Sequence, residues 1–255
     1  TKQMKKRALS LLMAGALAAA ALSGCGASGS SSAESTAAAS SETTASAADG
    51  DTLSFGVIAP LTGPHALYGE AAKNGVNLAL EEINEAGGVK VGDKSYSLNA
   101  AVICDDKSDS TEAISAYNNC ASYDILGIIG TYASSCTKAF ATQAQSDGLI
   151  VITPQSTNAS ICKIGDYIFR ACFSDDAQGP AMAEFIKDKL GAKKAAIIYG
   201  SNEDYCTGLY ESISKYFDEN GVDYVVYECN STDTDFSAQV SKVVAEGCDA
   251  IAYPN

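Results

Sequence analysis

Imidazole is nearly missing from this chain: His65 is the one histidine among 255 residues. No serine elbow or catalytic cysteine motif surrounds it, and no glycine-rich nucleotide loop follows a strand. The cysteines contain no Cys-x-x-Cys pair, which with a single histidine argues against a zinc site. Basic residues are scarce as well. The first 24 residues hold four of the 17 bases (Lys2, Lys5, Lys6, Arg7) and no acid, which leaves 13 against 31 acidic residues, a net charge of −18. Such a surface repels nucleic acid and anionic lipid. Neither an enzyme nor a nucleic-acid binder is indicated, and no cofactor or metal is implied.

What is present begins with an export signal. The apolar run Ala8 to Leu22 is too short and alanine-rich for a stable membrane span, and it ends in Leu22-Ser23-Gly24-Cys25. Gly26 to Gly50 has eight serines, eight alanines and no aromatic residue, so it cannot repay ordering entropy and reads as a tether. Its reach is roughly 25–30 Å. Eight cysteines remain after Cys25: Cys104, Cys120, Cys136, Cys162, Cys172, Cys206, Cys229 and Cys248. They are expected to be mostly free thiols, with a disulfide framework as the alternative.

Beyond the tether, strands alternate with helices. Thr52–Pro60 reads as a strand, Leu67–Ala86 as a helix stopped by Gly87-Gly88, and Ser95–Cys104 as a strand with Asp105-Asp106 at its exit. Helices over 110–122 and 134–146 lead to strands at Ile125 and Leu149. The latter, Leu149 to Thr153, is an unbroken apolar run that predicts a strand buried on both faces and stopped by Pro154. Tyr167–Cys172 is a further strand. The pattern then restarts with helices over 176–190, 205–220 and 236–246 between strands at Lys194, Val222 and Ala250. This is an α/β fold of parallel sheets flanked by helices, in two parts. The expected division is a signal peptide over 1–24, a tether over 25–50, one lobe over 51–172 and a second over 173–255. The polar turns after the strands at Ile125 and Leu149 should lie side by side, where open α/β sheets bind ligands.

The motifs Gly56-Val57-Ile58-Ala59-Pro60-Leu61-Thr62-Gly63-Pro64, Tyr68-Gly69, Glu81-Glu82-Ile83-Asn84, Asp105-Asp106, Ile152-Thr153-Pro154 and Thr232-Asp233-Thr234-Asp235-Phe236-Ser237 occur in order. Together they resemble the solute-binding proteins of branched-chain amino-acid ABC transporters, over Leu53 to Asn255. The resemblance implies a type I periplasmic binding protein, with two lobes closing on an amino acid that is passed to a permease. It also implies that Ser134 and Thr157 hold the ligand carboxylate, and that the Gln155 carbonyl and Ser156 face its ammonium. Tyr68 and Tyr205 would wall the ligand, with Tyr132 touching its side chain. Gln155 and Ser156 stand where the family has small residues such as serine and alanine, and Tyr132 is bulky. These departures separate recognition of the head group from any preference for leucine, isoleucine or valine. The acid that would meet the ammonium is expected in a later part of the second lobe, beyond a truncated reading frame. Cys25 resembles the acylated cysteine of bacterial lipoproteins, implying an anchor on the outer face of the cell membrane, and the protein is expected to be a monomer. A sensor ectodomain of the same fold and a non-transport surface lipoprotein are the alternatives.

If Cys25 is acylated, Cys25→Ala should abolish metabolic lipid labelling and leave an unprocessed or soluble protein. Equal labelling of the variant would refute the anchor.

Overall fold

Three strands of the first sheet end where the sequence supplies proline or glycine. A computed structural model describes residues 51–255; the signal sequence, the tether and Cys25 lie outside the described residues. β1 (Thr52–Ala59) stops before Pro60, β4 (Gly127–Ile129) before Gly130, and β5 (Ile150–Thr153) before Pro154. Proline has no N–H for the ladder, so the chain must leave the sheet there. Helix α1 (Ala66–Glu85) ends at Gly87-Gly88, both at positive φ, as its sequence predicts.

The first sheet has six strands in the order β2-β3-β1-β4-β5-β6. Here β2 is Val89–Val91, β3 is Lys94–Asp105 and β6 is Ile168–Arg170. All neighbours pair in parallel except β2 and β3, an antiparallel hairpin turning at Gly92-Asp93. That hairpin went unforeseen because β2 is three exposed residues with no alternation to signal a strand. The second sheet is β8-β7-β9, parallel throughout, from β7 (Lys194–Gly200), β8 (Asp223–Cys229) and β9 (Ala250–Ala252). In both sheets the chain runs first to one flank of the opening strand and then to the other. Such a reversal opens a crevice at the carboxyl ends of the strands.

Helices α2 (Ser110–Cys120) and α3 (Ser134–Asp147) cover one face of the first sheet. The core there joins Ile58, Ile128, Val151 and Ile168 to Tyr117 and Phe140, whose rings stack at 5.2 Å. Fully burying each large apolar side chain contributes about 1.5–3 kcal/mol. On the opposite face α1 packs beside β1 and β3 only. A groove of about 390 Å³ remains between its apolar stripe (Ala72, Val76, Leu80, Ile83) and Phe55, Leu98 and Ile129. Strand β5 therefore differs from expectation. Val151 and Thr153 are buried but Ile150 and Ile152 are about 40% exposed, because no described helix reaches that flank. The second sheet buries Ile197 against α4 (Asp175–Glu184) and α5 (Asp204–Asn220) through Ala183, Ile213 and Phe217. The helix predicted over 176–190 is α-helical only to Glu184 and widens into a π turn over Phe185–Lys189. Helix α6 (Ser237–Ala245) completes the series. The eight cysteines here are free thiols; Cys104 and Cys120 meet at 3.6 Å without bonding covalently.

Two of the motif residues have clear structural tasks. Asn84 pairs with the Leu98 backbone through both of its side-chain polar atoms, at 2.7 and 2.8 Å, and so fastens α1 to β3. Asp105 accepts hydrogen bonds from Leu61 N (2.8 Å), Lys107 N (2.9 Å) and the Thr62 hydroxyl (2.5 Å). It pins the loop that leads into α1. Its neighbour Asp106 turns inward and accepts from Ser108 N, so the two carboxylates diverge as turn caps rather than forming an acid–base pair. Partial burial alone would raise the Asp105 pKa, but the bonds from Thr62, Lys107 and Leu61 outweigh it and hold the carboxyl below its ordinary value. A depressed carboxylate stabilises the fold above its unfolded pKa of about 4 and loses that contribution as the pH falls. Asp105→Ala should therefore lower stability by about 1–2 kcal/mol at neutral pH, an effect moderated by solvent at this half-open loop. In urea titrations the gap between variant and wild type should narrow as the pH drops below about 4. A gap that widens on acidification would contradict the assignment.

Candidate ligand-binding site

The exits of β4 and β5 are adjacent, because Gly127–Ile129 pairs in parallel with Ile150–Ile152. Hydroxyl groups lock the two turns together. The Thr153 hydroxyl donates to Thr131 O at 2.7 Å and accepts from Ser156 N at 3.0 Å. Ser156 Oγ lies 2.7 Å from the Thr137 hydroxyl and 3.1 Å from the carbonyls of Thr131, Tyr132 and Ala133. All four side chains are essentially closed to water. Leaving any of them unpaired there would cost about 1–3 kcal/mol. The consequence for Ser156 is that its hydroxyl is engaged inward, beneath the turn.

Around this base the remaining predicted residues gather, from different elements. Ser134 is the first residue of α3 and 1% exposed; no side chain caps that helix, whose N-cap is Ala133. Its hydroxyl accepts from Asn158 N at 3.3 Å. Thr157 is buried with its hydroxyl unpartnered, and the Gln155 side-chain oxygen is likewise unpartnered. Gln155 Nε2 reaches Tyr68 O at 3.5 Å. Tyr68, at the start of α1, stacks on Tyr132 at 4.6 Å, and His65 closes the cluster 5.3 Å from Tyr132. Burial, with Tyr68 and Tyr205 nearby, raises the Tyr132 phenol above its ordinary pKa, so it stays neutral. Tyr205, in the first turn of α5, is raised mainly by burial and accepts a 3.1 Å bond from Gln178 Nε2.

Three contacts carry α5 to this place. Ser135 donates to Glu203 at 3.0 Å, Lys138 forms an ion pair with Asp204, and Asn158 Nδ2 donates to Asp204 O at 2.6 Å. Sequence reasoning missed these residues, and it missed His65 as part of the aromatic wall. Charged neighbours of a helix start carry no sign of a contact 60 residues away. Asp175, at the start of α4, is a buried acid beside Thr157 and Tyr205 whose burial no local sequence signal announces.

The arrangement suits a small zwitterion. Uncapped amides at a helix start and hydroxyls favour a carboxylate, carbonyls and an acid favour an ammonium, and tyrosines wall an apolar remainder. Among the described residues no cluster of histidine, cysteine and acid could hold a metal ion, and no helix is long and apolar enough to cross a membrane. A second groove, of about 780 Å³, runs between α5 and the β5 exit. Its Lys163 and Lys215 are offset by Glu211 and Glu219, and the predicted site residues lie outside it.

Fold and geometry together describe an α/β protein with polar side chains gathered at two adjacent strand exits. The chain belongs to the periplasmic binding protein family, whose sequence model matches residues 52–254. It is 30% identical over 205 residues to a leucine-, isoleucine-, valine-, threonine- and alanine-binding protein of Pseudomonas aeruginosa, covering 80% of this chain and 53% of that one. A Leu/Ile/Val-binding protein homologue of Brucella melitensis is 31% identical over 211 residues, covering 82% and 55%. Among solved structures, a leucine-binding protein of Thermotoga maritima matches with a TM-score of 0.72 at 32% identity, over 79% of this chain and 56% of that one. A branched-chain amino-acid transporter substrate-binding protein of Streptococcus pneumoniae, in complex with isoleucine, gives 0.70 at 29% identity, over 80% and 57%. The fold is thus that of type I periplasmic binding proteins, and the chain spans about half the length of the curated relatives it matches.

Proposed function

We propose that this chain is the extracytoplasmic solute-binding component of an ABC importer, binding an amino acid, branched-chain or related, and delivering it to the permease. One observation carries the reading. Thr157 is a buried hydroxyl with no partner, on the turn locked beside the uncapped start of α3. A carboxylate there accepts from Thr157, Ser134 and the first amides of the helix. The names of the relatives, which bind leucine, isoleucine, valine or alanine, support the same chemistry.

In this reading residues 51–172 and 173–255 belong to two lobes in an open–closed equilibrium, and the ligand shifts it by touching both. Tyr68, Tyr132 and Gln155 meet the ligand from one lobe and Tyr205 from the other. Ser156 acts through the Gln155–Thr157 turn that it braces. The protein works as a monomer, without cofactor or catalytic residue, held by acyl chains on Cys25 to the outer face of the membrane, with residues 25–50 as tether. The closed form is what the permease recognises.

Thr157→Val preserves volume and deletes the hydroxyl. A hydrogen bond to a charged group is worth about 1.5–3 kcal/mol, so calorimetric affinity for the preferred amino acid should fall roughly tenfold to a hundredfold. Tyr205→Ala should instead reduce the ligand-induced contraction seen by small-angle scattering. If no amino acid binds the wild type, or Thr157→Val binds as tightly, the proposal fails.

A further inference from the structure

The sulfurs of Cys104 and Cys120 meet at 3.6 Å inside the core of the first sheet, although the two residues are 16 positions apart. Local sequence explains the meeting. Asp109 caps α2 by accepting from Thr111 N and Glu112 N, which fixes the register of the helix. Ala113, Ala116, Tyr117 and Cys120 then fall three and four apart, on the buried face. Cys104 is the buried residue near the end of β3, paired with Ile58 of β1. Gly56 of β1 makes room for the partner. A Cβ built on it would stand 3.1 Å from Cys120 Sγ and 3.2 Å from Cys120 Cβ, so the missing side chain lets Cys120 settle against the sheet.

The contact is more than the packing of two small apolar groups. The Cys120 thiol donates to Cys104 Sγ, which also accepts from Asn119 Nδ2 at 3.3 Å. The bond from Cys120 is the largest influence on Cys104 and, helped by Asn119, holds its thiol below the ordinary pKa against burial. The same bond, together with burial, pushes the Cys120 thiol up. An attacking sulfur and a resolving sulfur thus lie side by side. Among the described residues no other two cysteines share a hydrogen bond. Cys172 donates to Ser156 O and Cys206 to Asn255 Oδ1. A disulfide requires sulfurs about 2.05 Å apart, so this pair must close by about 1.5 Å, a distance that rotation about the Cα–Cβ bonds spans.

We propose that Cys104 and Cys120 form a disulfide in an oxidising compartment and that it staples the last turn of α2 to the end of β3. The oxidant is a disulfide RSSR, such as oxidised glutathione. The Cys104 thiolate attacks one of its sulfurs, forming a mixed disulfide and releasing RS⁻; the Cys120 thiolate then displaces the second RS⁻. The two cysteines lose two electrons, RSSR gains them, and the two thiol protons pass to the released thiolates. Cys104 is 7% exposed and Cys120 is closed to water, so exchange takes place while the chain folds, and the finished core seals the bond. The closed loop holds Asp105, which pins the segment leading into α1, and the whole of α2. Restricting a loop of this length in the unfolded chain should shift the unfolding equilibrium about a hundredfold toward the folded state. The inference needs export to an oxidising compartment and no particular ligand, so it stands or falls apart from the amino-acid reading.

The test refolds the reduced, unfolded chain in a mixture of reduced and oxidised glutathione, alkylates the remaining thiols under denaturing conditions and maps the digest by mass spectrometry. A peptide pair joined through Cys104 and Cys120, two hydrogens lighter than its separate halves, is expected; in Cys120→Ala it should vanish and Cys104 should be alkylated. Urea titration of the linked protein with and without dithiothreitol should show the hundredfold difference in the unfolding equilibrium. Alkylation of both cysteines in the refolded wild type, or their linkage to other cysteines, would overturn the proposal, as would a link that leaves the urea midpoint unchanged or lower. Should the chain not refold, the same map on protein exported to a bacterial periplasm and acid-quenched before alkylation decides by the same outcomes.

Discussion

The geometry of the two adjacent strand exits depends on the hydroxyl network beneath their turns. Thr131, Thr137, Thr153 and Ser156 exchange hydrogen bonds with one another and with the carbonyls of residues 131–133. Two strand exits could otherwise diverge, since each turn is polar and unsupported by the ladder. Pairing them in a dry interior makes the spacing between the start of α3 and the Gln155–Thr157 turn a rigid quantity. Binding sites need that rigidity, because a carboxylate held by several donors tolerates little displacement. The cost of the arrangement is that Ser156 is consumed as a brace.

A second level of organisation brings α5 to the same place. The contacts of Glu203 and Asp204 with Ser135, Lys138 and Asn158 are few, polar and partly exposed. Partly exposed ion pairs are worth little individually, so such a junction can open and close at modest cost. Cores on either side are, by contrast, dry and aromatic, around Tyr117 and Phe140 in one and Phe217 in the other. In the two-lobe reading proposed above, firm halves meeting at a soft polar junction are what a ligand-driven closure requires.

Most of the architecture was legible because its signals are local. Apolar runs ended by Pro60 and Pro154, a glycine pair after α1, and the alternation of strands with helices leave few topologies open. Adjacency of the β4 and β5 exits followed from that topology. What escaped was set by tertiary packing. The β2–β3 hairpin has no hydrophobic face, and the exposure of Ile150 and Ile152 depends on which helices reach the flank of the sheet. The inward turn of Ser156 depends on carbonyls more than 20 residues away.

Hydrogen–deuterium exchange, with and without a saturating amino acid, tests most directly whether the ligand binds at these strand exits. Bound ligand should slow exchange over residues 131–138, 155–158 and 203–208 together, with helix α1 beyond residue 70 and strand β8 unchanged. Protection confined to the groove around Lys163 and Lys215, or to the apolar face of α1, would place the ligand elsewhere and contradict the account.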